Sequence, residues 1–224
     1  MARTGACLRR RALTRKPLPH LLYFTDPVRT PDPEAIAARL PKGSAIVYRA
    51  FGSPDADIVA LRLKAIARRR GLTLLIGADE SLAARVGADG VHLPERLASH
   101  AARMRARHPG WLITAAAHTP RAARAQVDAV VVSAIFPSNS PSAGKPLGPM
   151  RLAQIVRISG CPVYALGGVS QTTAARLLAT GVVGIAGVEV FLASPVEKRT
   201  GEEIESKKPP KGGSFDRSIL TLRT

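Results

Sequence analysis

The stretch AIVYRAFGSPDADIVALRLKAIARRRGLTLLIG, residues 45–77, decides the fold. Its first six residues form a short apolar run, its last five form another, and the residues from Asp57 to Arg70 repeat apolar side chains at helical spacing. Strand, helix, strand is the unit that pairs strands in parallel. Outward from it, further apolar runs occupy 20–25, 90–93, 112–117, 129–135, 163–167 and 182–190. Amphipathic or helix-initiating stretches at 95–107, 120–126, 149–159 and 171–180 alternate with them. With 45–50 and 73–77 these make eight predicted strands. Eight strand–helix units close into a barrel whose chemistry lies at the carboxyl ends of the strands. The predicted fold class is α/β, a single (βα)8 TIM barrel.

The chain has 224 residues, enough for one domain with a substantial core. We expect a basic, disordered extension over 1–19, the barrel over 20–194 and a disordered tail over 195–224. Residues 1–19 carry six Arg or Lys and no acid. A transit peptide, a disordered extension and an upstream mis-set start codon all remain open for such a start. The tail contains Lys-Lys-Pro-Pro-Lys-Gly-Gly, which cannot form a packed element, and reads as disordered or as an altered reading frame. No run is apolar and long enough to cross a membrane. Cys7 and Cys161 supply no disulfide framework or metal cluster, so a reducing cytoplasm is the expected setting. The net charge of +17 invites a nucleic-acid reading. Within the repeat, however, Arg62, Arg68, Arg69, Arg103 and Arg107 fall on predicted helix faces with few aromatics between them. A solvated outer ring of helices explains that pattern better than a base-stacking platform.

Strand ends are where function is sought. Gly167-Gly168 lies between the seventh strand and a helix, where backbone approach and helix-start amides suit a phosphate; a plain βα turn would also use it. The loop 136–148 holds Ser138, Asn139, Ser140 and Lys145 and reads either as a binding lid or as a linker. His118 closes the fifth strand after small residues, in reach of the mouth, and an imidazole exchanges protons near neutrality. It reads equally well as a residue at a helix start. His92 reads as a structural histidine of the barrel interior or rim. Arg49 ends the second strand, where a guanidinium can clamp phosphate, and Asp26 ends the first, able to orient it.

Taken together, Leu22-Tyr23-Phe24-Thr25-Asp26, Gly87-Ala88-Asp89-Gly90-Val91-His92-Leu93, His118-Thr119, Phe136-Pro137-Ser138-Asn139-Ser140 through Leu147-Gly148, and Ala165-Leu166-Gly167-Gly168-Val169 resemble the thiamine-phosphate synthase/TenI superfamily. The resemblance covers most of 20–191 and implies a barrel that binds a thiazole phosphate. In the synthase branch it implies an aminopyrimidine diphosphate as second substrate, whose magnesium-bound diphosphate leaves as the thiazole nitrogen attacks. That step needs hard oxygen ligands. The positions that match the family's metal ligands are Gly77-Ala78 and Leu97, with Asp79, Glu80 and Glu95 as weak substitutes that require displaced loops. The second-strand pattern Gln-x-Arg-x-Lys keeps only Arg49, Pro141 stands where a lysine is expected, and Ala116 replaces a serine. Glu189 falls near a phosphate-facing serine, where its charge opposes phosphate.

The thiazole tautomerase branch needs a bound thiazole phosphate and a proton carrier, without metal or diphosphate. His118 matches the histidine that the resemblance implies for that role. We therefore expect a divergent, tautomerase-like member of thiamine biosynthesis. His118 would be its acid/base, with Arg49, Ser138, Ser140, Lys145, Gly167 and Gly168 on the phosphate. No cofactor is expected, and Mg²⁺ only where synthase activity is retained. The alternatives are an active synthase with a rebuilt Mg²⁺ site and a non-catalytic barrel that binds a phosphorylated ligand or a protein. Nucleic acid is disfavoured, and the resemblance implies a dimer or trimer.

Overall fold

The strands pair in sequence order around a circle that closes when the eighth meets the first. The computed structural model describes residues 17–138, 140 and 144–189. Strands β1 (Leu21–Phe24), β2 (Ala45–Tyr48), β3 (Thr73–Gly77), β4 (Gly90–Leu93), β5 (Leu112–Ala117), β6 (Ala129–Val132), β7 (Val163–Leu166) and β8 (Gly184–Gly187) are all parallel to their neighbours. The TIM barrel expected from the alternation is therefore the fold. β6 and β8 are shorter than the runs 129–135 and 182–190, because the apolar residues beyond each strand continue into loops at the mouth.

Side chains alternate across each strand, so each strand contributes to two layers. Leu22, Phe24, Val47, Leu75, Leu112, Val131 and Tyr164 fill the barrel. Tyr23, Ile46, Ile76, Val91, Ile113, Val130 and Val163 face the helices instead. The barrel is narrow where Gly90 lies, since a Cβ there would sit 1.9 Å from the Leu112 carbonyl oxygen. Only glycine fits that approach.

The outer layer is α1 (Pro33–Ala37), α2 (Ala56–Arg70), α3 (Glu80–Arg85), α4 (Ala101–Arg107), α5 (Gly148–Ile158) and α6 (Gln171–Ala174). On α2, Ala60, Leu63, Ile66 and Ala67 form the buried stripe, and Arg68 to Arg70 sit in its last turn, where cations suit the helix dipole. The predicted helix 95–107 is half 3-10 (Glu95–His100) before α4, and 171–180 likewise runs from α6 into the 3-10 turn Ala175–Thr180. The predicted helix 120–126 is only the 3-10 turn Ala122–Arg124. None of the described helices is long and apolar enough to cross a membrane.

Leu18 and Pro19, just before β1, touch the barrel. Leu18 packs against the barrel interior, and the Tyr164 hydroxyl donates to the Pro19 carbonyl, so the described chain closes the barrel floor with them. The rest of the expected extension and the whole tail lie outside the described residues.

Candidate functional site

A cavity of about 280 Å³ opens at the carboxyl ends of the strands. Phe24 of β1 and Arg49, one residue past β2, line one side together with Arg29 from the loop after β1. Ser133, Ser138 and Ser140 after β6 line another, and Gly167 to Ser170 after β7 and Val188-Glu189 after β8 complete it. Arg49, Ser138, Ser140, Gly167 and Gly168 are thus brought together around one cavity. Lys145 is exposed and outside this lining. Asn139 and Pro141 lie outside the described residues.

Arg29 escaped the sequence reading, for it follows the first strand by several residues and has no periodic signature. It joins Arg49 through Asp26. The Asp26 Oδ2 accepts from Arg29 Nη2 at 3.0 Å and from Arg49 Nη2 at 3.3 Å, while Arg49 Nε donates to the Thr25 carbonyl at 2.7 Å. Partial burial works against the Asp26 carboxylate, but hydrogen bonds from Arg29, backbone first, outweigh it and hold the carboxyl below its ordinary range. Burial lowers the Arg49 guanidinium and Asp26 pulls it back up, so it stays a cation. Its carbon lies 5.7 Å from the Phe24 ring centre and 5.0 Å from that of Phe51, which fixes the guanidinium by cation–π contact. One carboxylate against two guanidiniums leaves this corner positive.

The opposite loops are locked together. Phe136 N donates to the Gly167 carbonyl at 3.0 Å, and Arg176 lies over the Phe136 ring at 5.1 Å. Gly168 has φ +65°, and a Cβ there would sit 2.3 Å from the Pro137 carbonyl oxygen. Glycine at 168 is therefore required by this packing, whatever ligand the loop meets.

His118 stands at the end of β5, exposed and outside the cavity lining. Its Nδ1 is 3.2 Å from the hydroxyl of Ser133, a residue that does line the cavity. Its backbone N–H donates to Glu95 Oε2 at 2.7 Å. His92 is buried inside the barrel, with Nδ1 2.9 Å from Thr114 Oγ1 and its ring edge-on to Phe24. Burial, reinforced by the Arg49 charge, pushes its pKa down to about 3, so it is a neutral structural group.

The three weak metal candidates are engaged elsewhere. Asp79 caps α3, its Oδ1 accepting from Leu82 N at 2.8 Å. Glu80 holds Arg107 and lies 3.2 Å from His108 Nε2, and Glu95 holds the His118 loop. Leu97 packs against the hydrophobic core. Among the described residues no three His, Cys, Asp or Glu side chains converge.

The family model described as thiamine monophosphate synthase matches residues 22–191, most of the chain and every strand but the first residue of β1. The chain belongs to the thiamine monophosphate synthase family. It is 31% identical over 173 residues to the thiamine-phosphate synthase of Methylococcus capsulatus, covering 71% of this chain and 75% of that one. The thiamine biosynthesis bifunctional protein ThiM/ThiE of Symbiobacterium thermophilum is 33% identical over 141 residues, 61% of this chain. That match spans only 29% of the bifunctional protein's length. Among solved structures, a thiamine phosphate pyrophosphorylase from Pyrococcus furiosus superposes with a TM-score of 0.66 at 24% identity, over 83% of this chain and 93% of that one. This last likeness speaks for the fold. For a thiamine monophosphate synthase family member, the donor set around β3 and β4 is unusual. Gly77-Ala78 and Leu97 offer no side-chain oxygen, and the nearby carboxylates are committed to a helix cap, an ion pair and a loop. These residues do not fit a magnesium–diphosphate centre.

Proposed function

We infer that this protein acts on a thiazole phosphate in thiamine biosynthesis by moving a proton within it, rather than by joining it to a pyrimidine diphosphate. The observation that carries this reading is the commitment of Asp79, Glu80 and Glu95 to structural bonds beside a mouth that keeps its cations. Diphosphate departure depends on electrostatic stabilisation of the leaving group, which a site without metal oxygens supplies poorly. A tautomerase asks only for an anion clamp and a proton carrier. Arg29 and Arg49 form the clamp, with the hydroxyls of Ser138 and Ser140 and the Gly167-Gly168 turn on the phosphate. Lys145, exposed outside the cavity, takes no part. His118 is the acid/base.

Turnover of the thiazole phosphate tautomer in the presence of excess EDTA tests this reading. Undiminished turnover is expected; a rate that returns only with added Mg²⁺ contradicts it. One observation favours a second reading, a non-catalytic barrel that holds a phosphorylated ligand: the His118 ring does not itself line the cavity. Thiazole phosphate bound tightly but never turned over by the unmodified protein selects that reading.

A further inference from the structure

His118 stands outside the cavity, yet the cavity reaches it through one side chain. β5 and β6 pair in parallel with Ala117 opposite Val132. Their next residues, His118 and Ser133, therefore leave the sheet side by side at its carboxyl edge. Side chains alternate along a strand, so both sit on the face opposite to buried Ala117 and Val132. Ser133 lines the cavity, and its hydroxyl lies 3.2 Å from His118 Nδ1. The His118 backbone is held from behind: Glu95 accepts from its N–H at 2.7 Å, and Thr119 Oγ1, next in the chain, accepts from Ala122 N at 3.1 Å. A histidine with its backbone so anchored and its Nδ1 against the hydroxyl of a cavity-lining serine is arranged for a relay.

We propose that Ser133 is the group that exchanges the proton with the ligand, and that His118 acts through it. The relay rests on the proton-transfer reading above and deepens it. In the forward step the C–H bond at the sp3 ring carbon of the non-aromatic thiazole phosphate tautomer breaks, and its proton goes to Ser133 Oγ as the serine's own proton passes to His118 Nδ1. The electron pair left behind enters the ring π system. In the return step His118 gives its proton back to Ser133 Oγ, and the serine delivers one to the carbon at the far end of the conjugated system. One C–H bond is lost and one gained, with no oxidant, leaving group or charged serine. The relay requires His118 with Nδ1 free to accept, so that the serine donates in the resting state.

The test compares the unmodified protein with Ser133→Ala, Ser133→Thr and His118→Asn. Turnover of the thiazole phosphate tautomer is read from the absorbance change on aromatisation, and the His118 ring nitrogens by ¹⁵N NMR. Ser133→Ala is expected to lower kcat by about 10²-fold with KM little changed, in the range of a positioned acid/base group. It should also shift the His118 Nδ1 resonance, because its hydroxyl partner is gone. Ser133→Thr keeps a hydroxyl and is expected to restore most of kcat and the Nδ1 resonance, which a packing role would not do. A kcat for Ser133→Ala equal to the unmodified protein's, or a change confined to KM, overturns the relay while leaving the proton-transfer reading intact. No turnover by the unmodified protein overturns the reading itself.

Discussion

The two halves of the barrel mouth are built from different chemistry. After β1 and β2 the chain places Asp26, Arg29 and Arg49 in one hydrogen-bonded group at the cavity wall. After β3 and β4 it places Ala78 and Leu97, and turns Asp79, Glu80 and Glu95 to caps and bridges. A magnesium-dependent transfer of a diphosphate-activated group needs both halves, cations for the phosphates and carboxylates for the metal. Here the first half persists without the second. On the proposed function, binding an anion and activating a diphosphate are separable in this fold.

The sharpest way to break the comparison is at β5, on neither half. His118→Asn is expected to lower tautomer turnover by about 10²-fold or more while leaving binding in place, because the proposed phosphate contacts lie elsewhere. Steady-state kinetics with calorimetric binding checks it. A smaller but direct effect is expected on the cationic half. Arg49→Ala removes a charged hydrogen-bonding group worth about 1.5–3 kcal/mol. Affinity for thiazole phosphate, measured by titration calorimetry, should fall by roughly 10- to 150-fold.

The same arginine reaches inward to His92, and that link is open to a pH test. Folding requires the neutral imidazole: the unfolded chain takes up the proton near 6.5, whereas the folded one resists it down to about 3. This contribution is fully present above pH 6.5 and is lost as the pH falls towards 3, by about 1.4 kcal/mol per pH unit. Urea denaturation of His92→Gln, which keeps a hydrogen bond to Thr114 possible, should show a correspondingly flatter loss between pH 6.5 and 4.5. Equal slopes would mean that His92 is not held neutral. The smallest effect is expected on the carboxylate half. Glu80→Gln breaks a surface ion pair with Arg107 and should cost at most about 1 kcal/mol of stability. Its turnover should match the unmodified protein's; a large loss of activity would reinstate Glu80 as a ligand.

The barrel was legible because its signal is repeated: each of the eight apolar runs contains a strand, and every run carries the same alternation. What failed was local. The run 129–135 hid Ser133 inside a strand, since Val132 and Ile135 look alike in sequence although β6 ends between them. Arg29 sits in an irregular loop whose position depends on Asp26 rather than on any period. Lys145 has the charge of a natural counter-ion in its loop, yet no sequence pattern tells that it lies outside the cavity lining. Gly167-Gly168 was read for a phosphate, and part of its signal is instead the close approach of Pro137 to Gly168.

The central claim is that the mouth binds thiazole phosphate without a magnesium–diphosphate centre. Its most direct test is one incubation of the purified protein with thiazole phosphate and aminopyrimidine diphosphate, with Mg²⁺ and with EDTA, followed by chromatography for thiamine phosphate. The account expects no thiamine phosphate above background in either arm. Robust, Mg²⁺-dependent formation of thiamine phosphate would contradict it, and would show that Asp79, Glu80 or Glu95 leaves its present partner to hold the metal.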